Sequence, residues 1–161
     1  RIDITNAGTP VIEPNRFLEE ARTRNELLAG QMQKFKFCED RGSGFFRASE
    51  ELEKEHFPAP EITLKTDSTT VTLRRYKDFE SLTQNERIYI CFFHTALLYR
   101  RSGGQKAMTN QTLRDRFVLD DSQKNTVSNI INATVKTGLI KQKEPGQRKY
   151  AAYVPFWVKT E

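Results

Sequence analysis

Histidine and cysteine are scarce in this chain, and no apolar run is long. The two cysteines, Cys38 and Cys91, stand 53 positions apart, and the two histidines are His56 and His94. No zinc-ligand pattern and no Cys–His nucleophile pair can be read from so few. Buried free thiols in a reducing cytoplasm are the expected state of both cysteines. The longest apolar stretch, Ile88 to Phe93, falls far short of the roughly 20 residues a membrane-spanning helix needs. No secretory leader is visible. The chain opens at Arg1 and runs at once into a strand-like Ile2-Asp3-Ile4, so it is expected to be a piece of a longer protein. These absences predict a cytoplasmic chain with no metal and no membrane partner.

Hydrophobic residues make up 37% and charged residues 29%, a balance that favours a globular fold over a disordered one. The net charge of +5 is unevenly spread. Residues 1–73 carry 10 Lys/Arg against 13 Asp/Glu, net −3, whereas residues 74–161 carry 16 against 8, net +8. A basic block confined to one segment suits a polyanion partner, because each phosphate contact releases condensed counterions.

The first 73 residues read as a small α+β unit. Ile2 and Ile4 alternate with polar neighbours, then Asn6-Ala7-Gly8-Thr9-Pro10 supplies turn chemistry. Phe17 to Ala21 is expected as a short helix. Asn25 is placed to cap a helix from Glu26 to about Phe37, with Leu27, Leu28, Met32 and Phe35 at helical spacing. A further helix is expected from about Gly44 to His56, ended by Pro58 and Pro60. Ile62 and Leu64, then Val71 and Leu73, flank Asp67-Ser68 as a hairpin. Residues 74–82 are expected as a linker.

From residue 83 to 161 the signals change. Thr83-Gln84-Asn85-Glu86 is a capping box that opens a helix to about Arg101, stopped by Ser102-Gly103-Gly104. Thr109 caps a second, short helix, with Met108 and Leu113 as a hydrophobic staple. Asp120-Asp121-Ser122 forms a turn and the next cap. A third helix runs from about Gln123 to Thr137, with Val127, Ile130, Ile131 and Val135 as its apolar stripe and Gly138 as its terminator. Two strands follow, Leu139 to Lys143 and Arg148 to Val154, about the turn Glu144-Pro145-Gly146-Gln147.

A long helix, a short helix, a tight turn, a third helix and a two-stranded wing form the element order of a winged helix-turn-helix. There the third helix enters the major groove of double-stranded DNA. Opposite its apolar stripe this helix carries Lys124, Asn125, Ser128, Asn129, Asn132 and Lys136, and no carboxylate follows Ser122 within it. Asn can pair with adenine, and Ser and Lys can reach bases or phosphates. The wing adds Lys141, Lys143, Gln147, Arg148 and Lys149, which by type position phosphates. No Arg stands on the exposed face, so no guanine contact is legible. The competing expectation is a protein-interaction or homodimer module. Its seam would be the long helix, whose Phe92, Phe93, Leu97, Leu98 and Tyr99 exceed the apolar surface a three-helix module needs.

Three stretches near the start occur together: Ile4-Thr5-Asn6-Ala7-Gly8-Thr9-Pro10, Arg24-Asn25-Glu26-Leu27-Leu28-Ala29, and Cys38-Glu39-Asp40-Arg41-Gly42-Ser43-Gly44. In order and spacing they resemble the Asn-Pro-Gly, Arg-Asn-Pro-x-Leu-Ala and Glu-x-x-Gly-Ser-Gly pattern of bacterial transcriptional regulators of the RecG-like helicase family, in their carboxy-terminal part. Pro-Ala-Pro-Glu at 58–61 fits as well. The resemblance covers residues 1 to about 73 and implies the second half of a GHKL ATPase-like domain, the fold of gyrase, MutL and histidine kinases. The helix whose Glu and Asn handle water and magnesium would lie in the absent first half, and an AlbA-type, Schlafen-like domain further upstream. No turnover is therefore expected of this chain and no cofactor, ATP being a matter for the full-length protein.

Within the part present, Asn6 and Gly8 match the first glycine motif. Asn6 stands where the wider group has an adenine-reading Asp, and Ala7 replaces the usual Pro. Gly42, Ser43 and Gly44 match the second, and a glycine turn before a helix suits phosphate. Against this nucleotide-binding reading stands a plainer one, in which both segments are simply tight turns. Arg24 likewise reads as an ion-pair partner or a phosphate clamp, and Asn25 as an N-cap.

Overall fold

Residues 1–38, 43–146 and 150–159 are described in a computed structural model. Its class is mixed α and β. Three short strands, β1 (Ile2–Ala7), β2 (Glu61–Leu64) and β3 (Ser68–Leu73), form an antiparallel sheet in the order β1-β3-β2. The expected hairpin is the β2–β3 pair, closed by the Lys65 N–H donating to Ser68 O at 2.8 Å. Ile2 pairs with Leu73, and Ile4 with Val71, which pairs in turn with Ile62. Paired residues share a face, so one side of the sheet gathers these five apolar residues, and Ile2 and Ile4 remain exposed on it. On the other side Thr72 is buried, its hydroxyl donating to Asp3 Oδ1 at 2.7 Å.

Helix α1 (Glu26–Lys34) starts as expected, with Asn25 Oδ1 accepting from the Leu28 N–H at 3.0 Å. It ends earlier than the reach to Phe37 that spacing predicts, because Lys36 turns the chain with φ of 59°. Its apolar residues do mark one face, but that face is open: Leu27 is 85% and Phe35 70% exposed. The short helix expected at Phe17 to Ala21 is instead a single 3-10 turn at Pro14–Arg16, where the proline sits in the first turn. Helix α2 (Ser43–Lys54) stops before His56, whose φ is 56°.

Helix α3 (Gln84–Arg101) is the centre of the molecule. Its capping box forms as read, the Thr83 hydroxyl accepting from the Glu86 N–H and Glu86 Oε2 accepting from the Thr83 N–H. Around it pack α2, α4 (Asn110–Phe117), α5 (Lys124–Lys136) and β5 (Tyr153–Pro155), which pairs with β4 (Ile140–Gln142). Gly104 ends the α3 turn with its α-carbon against the Tyr99 ring; a Cβ there would lie 3.2 Å from the hydroxyl oxygen.

One hydrophobic cluster joins Leu18 and Leu82 to Phe92, Leu97, Leu113, Val127 and Ile140. Phe45 of α2 meets Phe93 edge-on at 6.2 Å, so the early residues contribute to this core. Residues 74–82, read as a linker, are packed. Phe79 meets Phe117 at 5.1 Å under the Arg87 guanidinium, and Lys77 pairs with Glu86 at 2.6 Å.

Two expectations are corrected here. The α3 face read as a subunit seam lies inside the fold. Phe92, Phe93 and Leu97 are buried and Leu98 and Tyr99 half-buried, because α2 and the terminal hairpin cover a helix that a three-helix module would leave open. Of the two cysteines only Cys91 is buried, its thiol pushed up to about 12 by desolvation, while Cys38 is exposed beyond α1.

Candidate nucleic-acid interface

Helix α5 has two sides because its sequence does. Residues advance about 100° apiece around a helix, which sets Val127, Ile130, Ile131 and Thr134 together, and all four are buried. Asn125, Asn129, Asn132 and Lys136 fall on the opposite line, and all four are exposed. Lys124 is exposed at the first turn. Val135, read as part of the apolar stripe, is exposed instead. It sits at the edge of the buried arc, and the arc's centre is taken by Thr134, whose hydroxyl donates to Ile130 O at 2.8 Å.

Ser128 is the other correction on this helix. It is half-buried toward α4, its hydroxyl oxygen accepting from Asn110 Nδ2 at 2.9 Å; the same amide donates to Lys124 O at 3.0 Å. Ser128 thus fixes α5 against α4 rather than standing free for a base. Asn110 itself escaped the sequence reading, since a polar residue just after an N-cap looks like any solvated position.

The turn into α5 is held by two further contacts. Asp120 accepts from the Ser122 N–H at 2.8 Å, and the buried Arg114 pairs with Asp121 at 2.8 Å. The cap is therefore Asp120 acting on a 3-10 turn at Asp121–Gln123, and α5 begins after Gln123 with no side-chain cap. The Ser122 hydrogen bonds hold the Asp120 carboxyl below its ordinary value. Asp121, in the turn just before α5, is matched by a cation.

Val118 closes α4 in the left-handed region, at φ 56° and ψ 45°, and is exposed. That conformation costs a residue with a Cβ roughly 1–2 kcal/mol, part of which glycine gives back through its looser unfolded chain. Val118→Gly should raise unfolding stability by about 0.5–1 kcal/mol in urea titration. A loss of stability would mean that the valine methyls pack better than their exposure implies.

The terminal hairpin carries the remaining basic candidates. Lys141 is half-buried on β4, and Lys143 is exposed just beyond it, its N–H donating to Ala152 O at 2.8 Å. Met108 forms an isolated antiparallel bridge with Tyr153, adding a third chain beside the hairpin. Gln147, Arg148 and Lys149 lie outside the described residues. Tyr150, which follows them, is almost fully exposed.

The residues matched to nucleotide motifs are spread differently. Asn6 faces Thr69 across the sheet, and Gly8 at φ 85° receives the Thr69 hydroxyl at 2.8 Å. The Gly8 N–H donates to Asp67 O at 2.5 Å. Those bonds close the sheet end, as a tight turn does. Ser43 and Gly44 open α2, and Gly42 lies outside the described residues. Arg24 donates to Thr9 O at 2.7 Å, a backbone carbonyl rather than the carboxylate expected of an ion pair.

A cleft of about 410 Å³ between β2 and the start of α3 holds Glu61, Arg74, Lys77 and Glu86, and these charges pair with one another. Among the described residues no group of three or more His, Cys, Asp or Glu could hold a metal ion. Nor is any helix there long and apolar enough to cross a membrane.

Residues 1–73 match the family described as "Putative ATP-dependent DNA helicase recG C-terminal". That segment is thus RecG-like and ATPase-like, and the match ends where β3 ends. No curated protein and no solved structure matches the chain.

Proposed function

We propose that residues 83–161 form a winged helix that binds double-stranded DNA, with α5 in the major groove and the β4–β5 hairpin on the flanking backbone. The observation that carries this reading is the exposed line Asn125, Asn129, Asn132 and Lys136, free of carboxylates over the whole of α5, with Lys124 exposed at its first turn and Lys143 exposed beyond β4. Side-chain amides read base edges, and the lysines hold phosphates. The order α3-α4-α5-β4-β5, with Met108 bridged to Tyr153, supports it. So does the name of the family matched by residues 1–73, which is that of an enzyme acting on DNA. In this reading the chain is the binding part of a cytoplasmic transcriptional regulator, not an enzyme.

The test is anisotropy of a labelled 30-base-pair duplex across a salt series. Binding should weaken steeply as salt rises, since each phosphate contact releases counterions. Lys124→Glu with Lys136→Glu should cut low-salt affinity by more than about tenfold and flatten the log–log salt slope by about 2. Binding that ignores both salt and this double reversal would exclude the α5 face as the contact surface.

A further inference from the structure

Helix α4 is short and polar, yet it buries two arginines, Arg114 and Arg116. A solvated helix would turn both outward. Here each meets an acceptor on a different flank of α4. On one flank Arg116 Nε donates to Glu53 Oε2 at 2.6 Å and Nη2 to Phe57 O at 2.5 Å. The other oxygen of Glu53 is bonded by His94 Nδ1, and His56 Nδ1 meets Arg116 O at 3.0 Å. The end of α2 and the residues after it therefore grip α4 with directional, charge-assisted bonds.

On the other flank α4 holds α5. Asn110 bonds Lys124 O and Ser128, and Arg114 pairs with Asp121 in the turn before α5. α4 carries few apolar residues, Leu113 and Phe117 being the buried ones. Those two seat α4 in the core, Phe117 against Phe79, and the polar contacts add directional restraints whose geometry tolerates little sliding.

We propose that Glu53 and Arg116 are a positioning pair: helix α2 sets the placement of α4 and through it the placement of α5. The RecG-like segment thereby controls the presentation of the DNA-facing side chains, and a displacement of α2 alters DNA affinity with no contact between α2 and DNA. This rests on the DNA-binding reading of α5. It extends that reading by naming how the site is regulated.

Backbone amide NMR of Glu53→Gln, which removes the charge and keeps the shape, tests the pair directly. Glu51→Gln serves as the control, because Glu51 is exposed on the same helix and pairs with Lys54. Glu53→Gln should move the amides of Asn125, Asn129 and Asn132, and Glu51→Gln should not. Duplex affinity should fall about tenfold at a temperature where the variant remains folded, within the usual range of coupling between sites.

A second variant, Glu53→Leu with Arg116→Met, separates positioning from mere stability. It should recover the melting temperature but not the affinity. Shifts confined to α2, α3 and α4, or a double variant with full affinity, would overturn the proposal. If the parent chain binds no duplex at all, the DNA reading fails by itself. The α5 amide shifts then still decide whether the pair positions α5.

Discussion

Phe92→Ala should lower stability by about 3–5 kcal/mol, the usual cost of emptying a phenylalanine site in a core. Phe92 is 1% exposed and the largest of the fully buried side chains. It meets Phe93 at 5.6 Å and Trp157 at 5.7 Å, both nearly perpendicular. The ring thus joins α3 to the residues just past β5, and its removal leaves a cavity at the junction rather than at an edge that could close. Against a total of about 5–15 kcal/mol for an ordinary domain, such a loss removes a large share of the margin and lowers the urea midpoint accordingly. Trp157 is the only tryptophan, so its emission reports the transition in urea without further labelling. Tyr89→Ala on the exposed side of α3 is the comparison and should cost far less. A Phe92→Ala midpoint close to that of Tyr89→Ala would mean that the core is not organised around this ring.

The local part of this architecture is legible because its causes are local. Thr83 and Glu86 lie three residues apart, and the capping box they predict forms with both of its bonds. Thr109 caps α4 for the same reason. Gly138 takes φ of 75° after α5, as a helix terminator must. The exposed line of α5 follows from helical periodicity alone.

The rest depends on partners far away in sequence. Nothing near Ser128 announces Asn110, 18 positions earlier. Val135 and Thr134 are adjacent, and polarity orders them wrongly. The hydroxyl of Thr134 is satisfied by its own helix, which lets it occupy the buried arc at little cost. Periodicity found the apolar face of α1 but cannot say whether anything packs on it. Residues Glu53, His94 and Arg116 come from three helices, and each looks like a solvated position until the fold brings them together.

Arg116→Met is expected to destabilise the fold by about 3–5 kcal/mol, the cost of stranding one half of a buried ion pair. The side chains of Arg116 and Glu53 are 4% and 12% exposed. Among the described residues, the carboxylate without the guanidinium keeps only His94, whose own Nε2 is buried with no hydrogen-bond partner there. Two charges removed together leave nothing stranded, so Glu53→Leu with Arg116→Met should recover most of the loss. The pH dependence separates the variants further. Burial alone would raise the Glu53 carboxyl, but the hydrogen bonds and charges of His94 and Arg116 outweigh it and hold the group below its ordinary 4.5. A carboxyl held low binds its proton more weakly in the folded chain than in the unfolded one. Its stabilising contribution is complete above pH 4.5 and is lost as pH falls through the depressed value. In Arg116→Met burial works against a single remaining partner, so the carboxyl is held less far below its ordinary value and the acid-dependent loss from this group should be smaller than in the parent. In the double variant that component should vanish. Urea midpoints of the three chains between about pH 7 and 3 would show the order parent, double, single in stability. Equal stability of the single and double variants would mean that Glu53 does not need Arg116 and that the pair does not tie α2 to α4.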